Sequence, residues 1–235
     1  MSTAAGGLKE LHQLHIQLEG VRDQIDRGPK LIQARHKKVD RKNAEVEELK
    51  EQLKQLKMAA DQKSLQMKTN EAKILDIKAK LNAASTNREY DIFKSQIEAD
   101  TMANSVLEDE ILDAYEKVDT MQVTIREAEA DRDDTIADEK RVAKEVAENE
   151  PTLLAECDKL QALLKEAEST LPSAVHQLYV RLVGSHGASA LAAVENKACT
   201  NCFDTLSANM LVELNVGKYV FCRSCGRLSY LNKDE

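Results

Sequence analysis

The chain of 235 residues is 31% charged but only 3% aromatic, and it contains no tryptophan. This composition does not fit a large globular core and is typical of long helices that pack along a seam. The net charge of −8 gives no general reason to expect nucleic acid or an anionic membrane surface as a partner.

No stretch of the sequence approaches the ~20 apolar residues of a membrane-spanning helix. The N-terminus, MSTAAGGLKELHQLH, lacks the basic region and apolar block of a secretory signal peptide. We therefore expect a cytoplasmic protein without membrane insertion. In that reducing compartment, cysteines stay as thiols or bind metal.

The first half of the chain carries a seven-residue apolar repeat. Every seventh residue from Leu11 to Leu81 is apolar, and a companion row with some polar members starts at Leu14. This alternating spacing of three and four residues predicts a coiled coil. Gly28 and Pro29 lie inside the repeat, so we expect a kink or a short break of the helix there.

The repeat restarts after a turn signal near residues 82–89. Thr86 and Glu89 have the spacing of a capping box, in which a hydroxyl and a carboxylate bind the free N–H groups at a helix start. The second apolar row runs from Tyr90 to Leu160, and its companion runs from Phe93 to Leu163. Two arms joined by a capped turn predict a kinked antiparallel coiled-coil hairpin over residues 8–171, with Pro151 expected to bend the second arm.

Charge supports this pairing of the arms. Residues 22–94 hold 18 basic and 12 acidic residues, whereas residues 95–171 hold 8 basic and 22 acidic residues. Opposite charges favour folding of one arm onto the other. With the turn centred near residue 85, the basic run 34–42 lies opposite the acidic stretch 128–139.

The basic run, ARHKKVDRK, has two interpretations. Such a run on a helix is usually a solvated face that pairs with its neighbour, and here Glu127, Asp131, Asp133 and Asp134 would face it. The alternative is a patch that binds RNA or an acidic protein. Its candidate contact residues are Arg35, Lys37, Lys38, Arg41 and Lys42.

Residues 172–190 are predicted to form a linker helix and a turn. Pro172 fits the first turn of that helix, and Gly184 and Gly187 are expected to form the turn. The expected apolar face of the helix consists of Val175, Leu178, Tyr179 and Leu182. In residues 191–235, the stretches ALAAVE, GKYVFC and RLSYL predict short strands, and SANMLVEL predicts a helix with Ser207 near its cap.

Four of the five cysteines form the pattern C-x2-C-x19-C-x2-C, namely Cys199, Cys202, Cys222 and Cys225. This spacing is typical of a four-cysteine zinc site, because each C-x2-C turn directs two sulfurs at one tetrahedral metal ion. Gly226 can adopt the left-handed conformation in which the chain leaves the second turn. The fifth cysteine, Cys157, is predicted to lie in a helix on or beside the seam.

We predict one structural zinc ion that supplies the folding energy of a ribbon too small to fold by burial alone. Because no coordination position is left open, we expect no catalytic metal, no enzyme activity and no small-molecule substrate. The remote alternative is a thiol oxidoreductase. It needs a C-x-x-C pair on a βαβ unit, and the sequence shows no such alternation.

The chain resembles the bacterial zinc-ribbon proteins with an N-terminal coiled-coil hairpin, a family that includes a Helicobacter flagellar-regulation protein and its chlamydial counterpart. The resemblance rests on TNREYDIFKSQIE (86–98), CTNC (199–202) and CRSCGRLSY (222–230), and it spans essentially the whole chain. It implies a cytoplasmic adaptor with a structural zinc ion on the four cysteines. It also implies links to an alternative sigma factor, to flagellar or secretion machinery and to RNA.

Two functions therefore remain open. The first is a non-enzymatic adaptor whose coiled-coil stalk presents a zinc ribbon to protein partners. The second is an RNA-binding regulator that contacts phosphates through the ribbon and the basic run. Residues 191–235 hold five basic and five acidic residues, so the ribbon lacks the basic excess of a nucleic-acid footprint and favours the adaptor.

Overall fold

The computed structural model describes residues 4–232, and residues 233–235 of the predicted ribbon lie outside this part. The predicted fold class is confirmed: the chain is mainly α, with two long helices and a small C-terminal sheet. The helices are α1 (Ala4–Asn82), α2 (Asn87–Ser169), α3 (Ser173–His186) and α4 (Ala208–Asn215), with a 3-10 turn at Gly187–Ala190. The strands are β1 (Leu191–Glu195), β2 (Ala198–Cys199), β3 (Val220–Phe221) and β4 (Leu228–Leu231).

Both long helices run without interruption, and each contains one proline, Pro29 in α1 and Pro151 in α2. A break of the helix at Gly28 and Pro29 is therefore wrong. A proline inside a helix removes one backbone hydrogen bond. Seam packing just before it, with Val21 buried and Ile25 packed against the core, holds the helix through this point. Among the helices of residues 4–232, none combines length with enough apolar residues to cross a membrane.

The chain divides into two compact units, which we call the central unit (residues 33–141) and the terminal unit (residues 4–32 with 142–232). In the central unit the predicted apolar rows are the buried ones. The buried seam residues are Val39, Val46, Ala60, Ile74, Asn104, Leu107, Ile111, Val118, Ile125 and Thr135. Tyr90 is an exception and is 48% exposed. It lies in the first turn of α2, where α1 has already ended at Asn82 and offers no opposing side chain.

Cross-arm ion pairs define the antiparallel register of the central unit. Arg35 pairs with Asp138 at 3.2 Å, Lys42 with Asp131 at 2.8 Å and Lys63 with Glu110 at 2.6 Å. The numbers of these three pairs add up to 173 and those of the Lys50–Glu129 pair, at 2.9 Å, add up to 179, so the pairing centre lies beyond the predicted residue 85.

The predicted capping box at the start of α2 is present. The backbone N–H groups of Ser85 and Thr86 both donate to the Glu89 carboxylate at 3.2 Å, and the Glu89 N–H donates to Thr86 Oγ1 at 3.2 Å. These bonds satisfy the free donors at the helix start and fix the turn between the arms.

In the terminal unit, a four-stranded sheet has the order β2-β1-β4-β3. Strands β1 and β4 are parallel, with Leu191 opposite Leu228, and the other two pairs are antiparallel. One face of the sheet joins a core with the start of α1, the end of α2 and with α3. The other face packs against α4 and the cysteines. Because the sheet is covered on both faces, the first four residues of β1 are all buried.

Near the end of α2 the companion row differs from the prediction. Cys157 and Leu164 are buried, whereas the predicted Glu156 and Leu163 are exposed. The companion row shifts by one residue, while Leu160 of the main row stays buried, because this part of α2 contributes to a core that includes α3 and the sheet as well as α1. Cys157 therefore lies on the seam, as predicted.

Helix α3 is turned slightly from its predicted orientation. Tyr179 is 1% exposed, and Val175, Leu182 and Val183 pack against the core, but Leu178 is 46% exposed. Gly184 lies inside the helix instead of in the turn, whereas Gly187 ends the helix with a φ of +57°.

Candidate metal centre

The sheet brings the two cysteine pairs together. Cys199 ends β2 and begins the first C-x2-C turn, while Cys222 follows β3 and begins the second turn, which leads into β4. Cys199 and Cys222 are buried, and Cys202 and Cys225 are partly buried. Since β2 and β3 lie at opposite edges of the four-stranded sheet, the site joins chain segments that follow its two edge strands.

The four sulfurs have the spacing of a tetrahedral metal site. Sγ of Cys199 lies 3.8 Å from Sγ of Cys225, and Sγ of Cys202 lies 3.6 Å from Sγ of Cys222. All four sulfurs lie within 4.8 Å of one another. With Zn–S bonds of ~2.3 Å, the edge of a regular tetrahedron is about 3.8 Å. The four cysteines therefore fit one metal ion at their centre.

The four cysteines are free thiols rather than disulfides. The two close contacts between sulfurs join different C-x2-C turns, and both distances exceed the ~2.05 Å of an S–S bond.

In the first turn, backbone hydrogen bonds fold the chain around the sulfurs. The Cys199 N–H donates to the Asp204 carbonyl at 3.0 Å, and the Phe203 N–H donates to the Cys199 carbonyl at 2.8 Å. Phe203 has a φ of +59°, a left-handed conformation that is uncommon for a bulky residue.

The second turn repeats this geometry. The Cys222 N–H donates to the Arg227 carbonyl at 2.8 Å, and the Gly226 N–H donates to the Cys222 carbonyl at 2.8 Å. Gly226 has a φ of +74°, as the sequence predicted. Phe203 therefore occupies, in the first turn, the position that glycine occupies in the second.

Backbone N–H groups also act on the thiols directly. Burial raises the pKa of the Cys199 thiol. Burial opposes ionisation of Cys225 as well, but hydrogen bonds from the Arg227 backbone and from neighbouring thiols outweigh it and lower the pKa of Cys225 to about 6. A metal ion needs thiolates, so the lowered pKa makes Cys225 readily available as a ligand at neutral pH.

Polar side chains tie the site to its surroundings. Arg227 Nε donates to the Ser189 carbonyl at 2.7 Å, which fixes the second turn to the 3-10 turn before β1. The Ser224 hydroxyl donates to Asp204, so the two C-x2-C turns are also joined by a side-chain hydrogen bond. Asp204 in turn accepts from the Thr205 N–H at 3.0 Å.

The structure does not bring the five basic candidates to this site. All five lie on α1 in the central unit, where Arg35 and Lys42 form the cross-arm ion pairs described above. Hydrogen bonds to Asp131 and Glu45 raise the pKa of Lys42. The other three are exposed: Lys37, Lys38 and Arg41. Lys38 interacts electrostatically with Asp131 and Asp138.

Two of the four predicted acidic partners have ion pairs that can be compared with the prediction. Asp131 contacts Lys42, but Asp133 pairs with its neighbour Arg132 at 2.7 Å. The register shift accounts for the difference, because it places Asp138 opposite Arg35.

Fold and site together define a helical-hairpin protein with a C-terminal cluster of four cysteines that could hold a metal ion. No protein-family model and no curated protein matches the chain. Among solved structures, CT398 from Chlamydia trachomatis is similar with a TM-score of 0.76 and 16% identity, covering 97% of both chains. HP0958 from Helicobacter pylori is similar with a TM-score of 0.65 and 15% identity, covering 99% of both chains.

A third similar structure is a protein from Mycobacterium smegmatis, with a TM-score of 0.56 and 15% identity over 98% of this chain and 100% of that chain. At these identities the likeness establishes the fold. The first two organisms are those of the family whose resemblance the sequence motifs indicated.

Proposed function

We propose that the chain is a non-enzymatic cytoplasmic adaptor, in which a coiled-coil hairpin presents a zinc-bearing ribbon to protein partners. The observation that carries this proposal is the closed set of four cysteine sulfurs at tetrahedral spacing. Four protein ligands leave no coordination position for a substrate or an activated water, which supports a structural metal rather than a catalytic one.

The donor set supports zinc as the resident ion. Soft thiolates in tetrahedral geometry select zinc or iron–sulfur centres, and the two C-x2-C turns enclose space for a single ion. Four thiolates around Zn²⁺ carry a net charge of −2. The Arg227 guanidinium, which also donates to the Cys225 carbonyl at 3.5 Å, offsets part of that charge.

Phe203 supports a protein as the partner. Its side chain is 81% exposed although its left-handed backbone carries a cost of about 1–3 kcal/mol. Burial within residues 4–232 compensates neither this backbone strain nor the exposure of the apolar side chain. Aromatic residues are enriched among the anchors of protein interfaces, and the ribbon has no basic excess to attract nucleic acid. The family resemblance favours a sigma factor or a flagellar or secretion component.

The adaptor function is tested by affinity capture with tagged full-length chain, with and without nuclease. We expect a specific protein to be retained after nuclease treatment, and to be lost with Phe203→Gly but not with Val216→Gly. Val216 is a matched control because it is also exposed, at 72%, but lies outside the C-x2-C turns. Capture that disappears on nuclease treatment would contradict the proposal.

RNA binding is a second candidate because Lys37, Lys38 and Arg41 are exposed on α1. Titration of labelled RNA at several salt concentrations tests it, since each phosphate contact contributes a slope of about −0.7 for single strands. We expect affinity no tighter than the non-specific range of ~10⁻⁴–10⁻⁶ M. Nanomolar binding that is lost when all three residues become Glu would replace the adaptor by an RNA-binding regulator.

A further inference from the structure

Two histidines near the start of α1 bind the helix to the ribbon and to α3. His12 Nδ1 lies 2.8 Å from Oη of Tyr230, which is in β4. One turn later, His15 Nε2 lies 2.5 Å from Oη of Tyr179, which is in α3. All four residues belong to the terminal unit. We call this set of four residues the histidine latch.

The histidine latch lies in an apolar environment. His15, Tyr179 and Tyr230 are buried. The buried side chains around them form the core of the terminal unit and include Leu8, Leu11, Leu14, Leu18, Leu191 and Leu228. A charged imidazole loses hydration in such a core, so the packed state favours neutral histidines.

Hydrogen-bond roles in the latch follow from the Tyr179 hydroxyl, which has a single hydrogen. Tyr179 donates to Glu168 Oε1 at 2.9 Å, so the hydroxyl accepts from an N–H at His15 Nε2. A neutral His15 with its proton on Nε2 satisfies the hydrogen bonds from His15 to Tyr179 and from Tyr179 to Glu168. Protonation of His15 adds a second N–H at Nδ1, and these hydrogen bonds offer no acceptor for it.

The charged groups around the two histidines oppose each other in part. Burial is the largest cause that lowers the pKa of His12, and His15 adds to it. Burial also lowers the pKa of His15, against the raising effect of Glu168. The other groups that face the latch are Glu19, Arg22, Asp23 and Lys165 around an adjoining cavity of about 510 Å³, Glu195 near Tyr230, and His176 near Tyr179.

The direction of the pH effect follows from linkage. A histidine whose pKa is lower in the packed state takes up a proton when the packing opens. The stabilisation is fully present above the ordinary value of 6.5 and is lost as the pH falls from there through the lowered values.

We propose that the histidine latch is a protonation-sensitive device that releases the first turns of α1 from β4 and α3 when the pH falls. Opening exposes the inner face of the sheet and the core beneath it. The device is independent of the metal, since the four cysteines lie in the cluster on the other face of the sheet.

Cys157 is a built-in reporter of this opening. Its thiol lies in the same core as Tyr179 and Tyr230, is 7% exposed and accepts a hydrogen bond from Gln161 Nε2 at 3.1 Å. A thiol reagent that reacts at acid pH reaches Cys157 only after the core opens. Peptide mass spectrometry of the labelled, zinc-loaded full chain separates this thiol from the four cysteines of the metal site.

The test compares wild type with the double variant His12→Asn, His15→Gln. Each amide places neutral hydrogen-bonding groups near the ring nitrogen that it replaces, so the contacts can persist without titration. His186→Gln is the control, because His186 is exposed at the end of α3. Because the wild type and the double variant are compared at the same pH, the effect of pH on the intrinsic reactivity of the thiol cancels.

Between pH 7.5 and 5.5, we expect the Cys157 labelling rate of wild type and of the control to rise several-fold relative to the double variant. Linkage limits the rise to about tenfold per pH unit for each histidine that takes up a proton. Equal rates in wild type and double variant at every pH would overturn the proposal.

If the double variant does not fold, a second measurement on the wild type tests the proposal. Histidine titration by NMR on wild type should show His12 and His15 protonating at lower pH than His36. Hydrogen bonding to Glu139 raises the pKa of His36, so this residue is an internal reference within the same chain. Protonation of His12 and His15 at the same pH as His36, or above it, would overturn the proposal.

Discussion

Replacement of Gly28 by Ala tests the packing of the two helices in the terminal unit. Glycine inside a helix costs about 1 kcal/mol relative to alanine, so Gly→Ala normally stabilises an open helix site. At position 28, however, an added Cβ would lie 2.8 Å from Cγ1 of Val146 on α2. Val146 is β-branched and stiff at χ1, so the methyl cannot simply turn aside.

The expected magnitude follows from these two opposing effects. Overpacking of a close contact costs about 1–3 kcal/mol, which equals or exceeds the gain of about 1 kcal/mol in helix propensity. Gly28→Ala should therefore be neutral or destabilising. Gly20→Ala is the matched control, because no atom lies within 4 Å of its added Cβ, and we expect it to stabilise by about 0.5–1 kcal/mol.

Free energies of unfolding from urea denaturation measure both changes. A double-mutant cycle with Val146→Ala isolates the contact, because Pro29 also disfavours a side chain on the preceding residue. In the Val146→Ala background, the cost of Gly28→Ala should fall by about 1 kcal/mol or more. If Gly28→Ala stabilises as much as Gly20→Ala, residue 28 does not face Val146 and the register of the terminal unit is wrong.

Three further predictions concern the ribbon and the central unit. Cys222→Ser should abolish metal binding and unfold the ribbon while most helical circular dichroism persists, since structural zinc contributes about 10–16 kcal/mol in zinc-finger peptides; retained metal with a folded ribbon would contradict it. Phe203→Gly should leave the free energy of ribbon unfolding unchanged or raise it by up to about 1 kcal/mol, because it removes left-handed strain and exposed apolar surface; a clear loss of stability would show that Phe203 packs internally. The hydrogen bond to Glu139 raises the pKa of His36, so the contribution of His36 to stability is fully present below pH 6.5 and is lost as the pH rises through the raised value. The thermal stability of His36→Gln should lack this decline with rising pH. A pH profile of thermal unfolding that is the same in wild type and variant would refute this prediction.

The heptad rows could be predicted because a coiled coil repeats every seven residues, so periodicity alone identifies the buried positions. The shift from Glu156 to Cys157 could not, because it depends on α3 and the sheet, which are distant in sequence. Periodicity describes contact with one neighbouring helix. Where several elements surround a helix, the buried face is set by tertiary packing.

The cluster of four cysteines could be predicted from the sequence because the C-x2-C spacing itself fixes the local geometry. Strand β2 and the parallel pairing of β1 with β4 could not, since a two-residue strand has no periodicity. The partners of His12 and His15 were also missed. Tyr230 is 218 residues from His12 in the chain, and no local pattern indicates such a contact.

The Phe203 conformation shows a further limit of sequence reasoning. The left-handed conformation of Gly226 could be predicted because glycine is common at such positions. Phe203 adopts a similar conformation, with a φ of +59°, but a phenylalanine gives no such signal. Only the repeated backbone hydrogen bonds of the two C-x2-C turns make the equivalence visible.

The most direct test of the account is the metal content and metal spectrum of the full chain purified without chelator. Native mass spectrometry should find one zinc ion per chain, and replacement by Co²⁺ should give the intense thiolate-to-metal absorption of a tetrahedral four-sulfur site. Both signals should vanish when Cys199 or Cys225 is changed to Ser, while Cys157→Ser leaves them intact. A ribbon that folds without metal, or a chain that binds Co²⁺ without this spectrum, would contradict the proposed zinc centre.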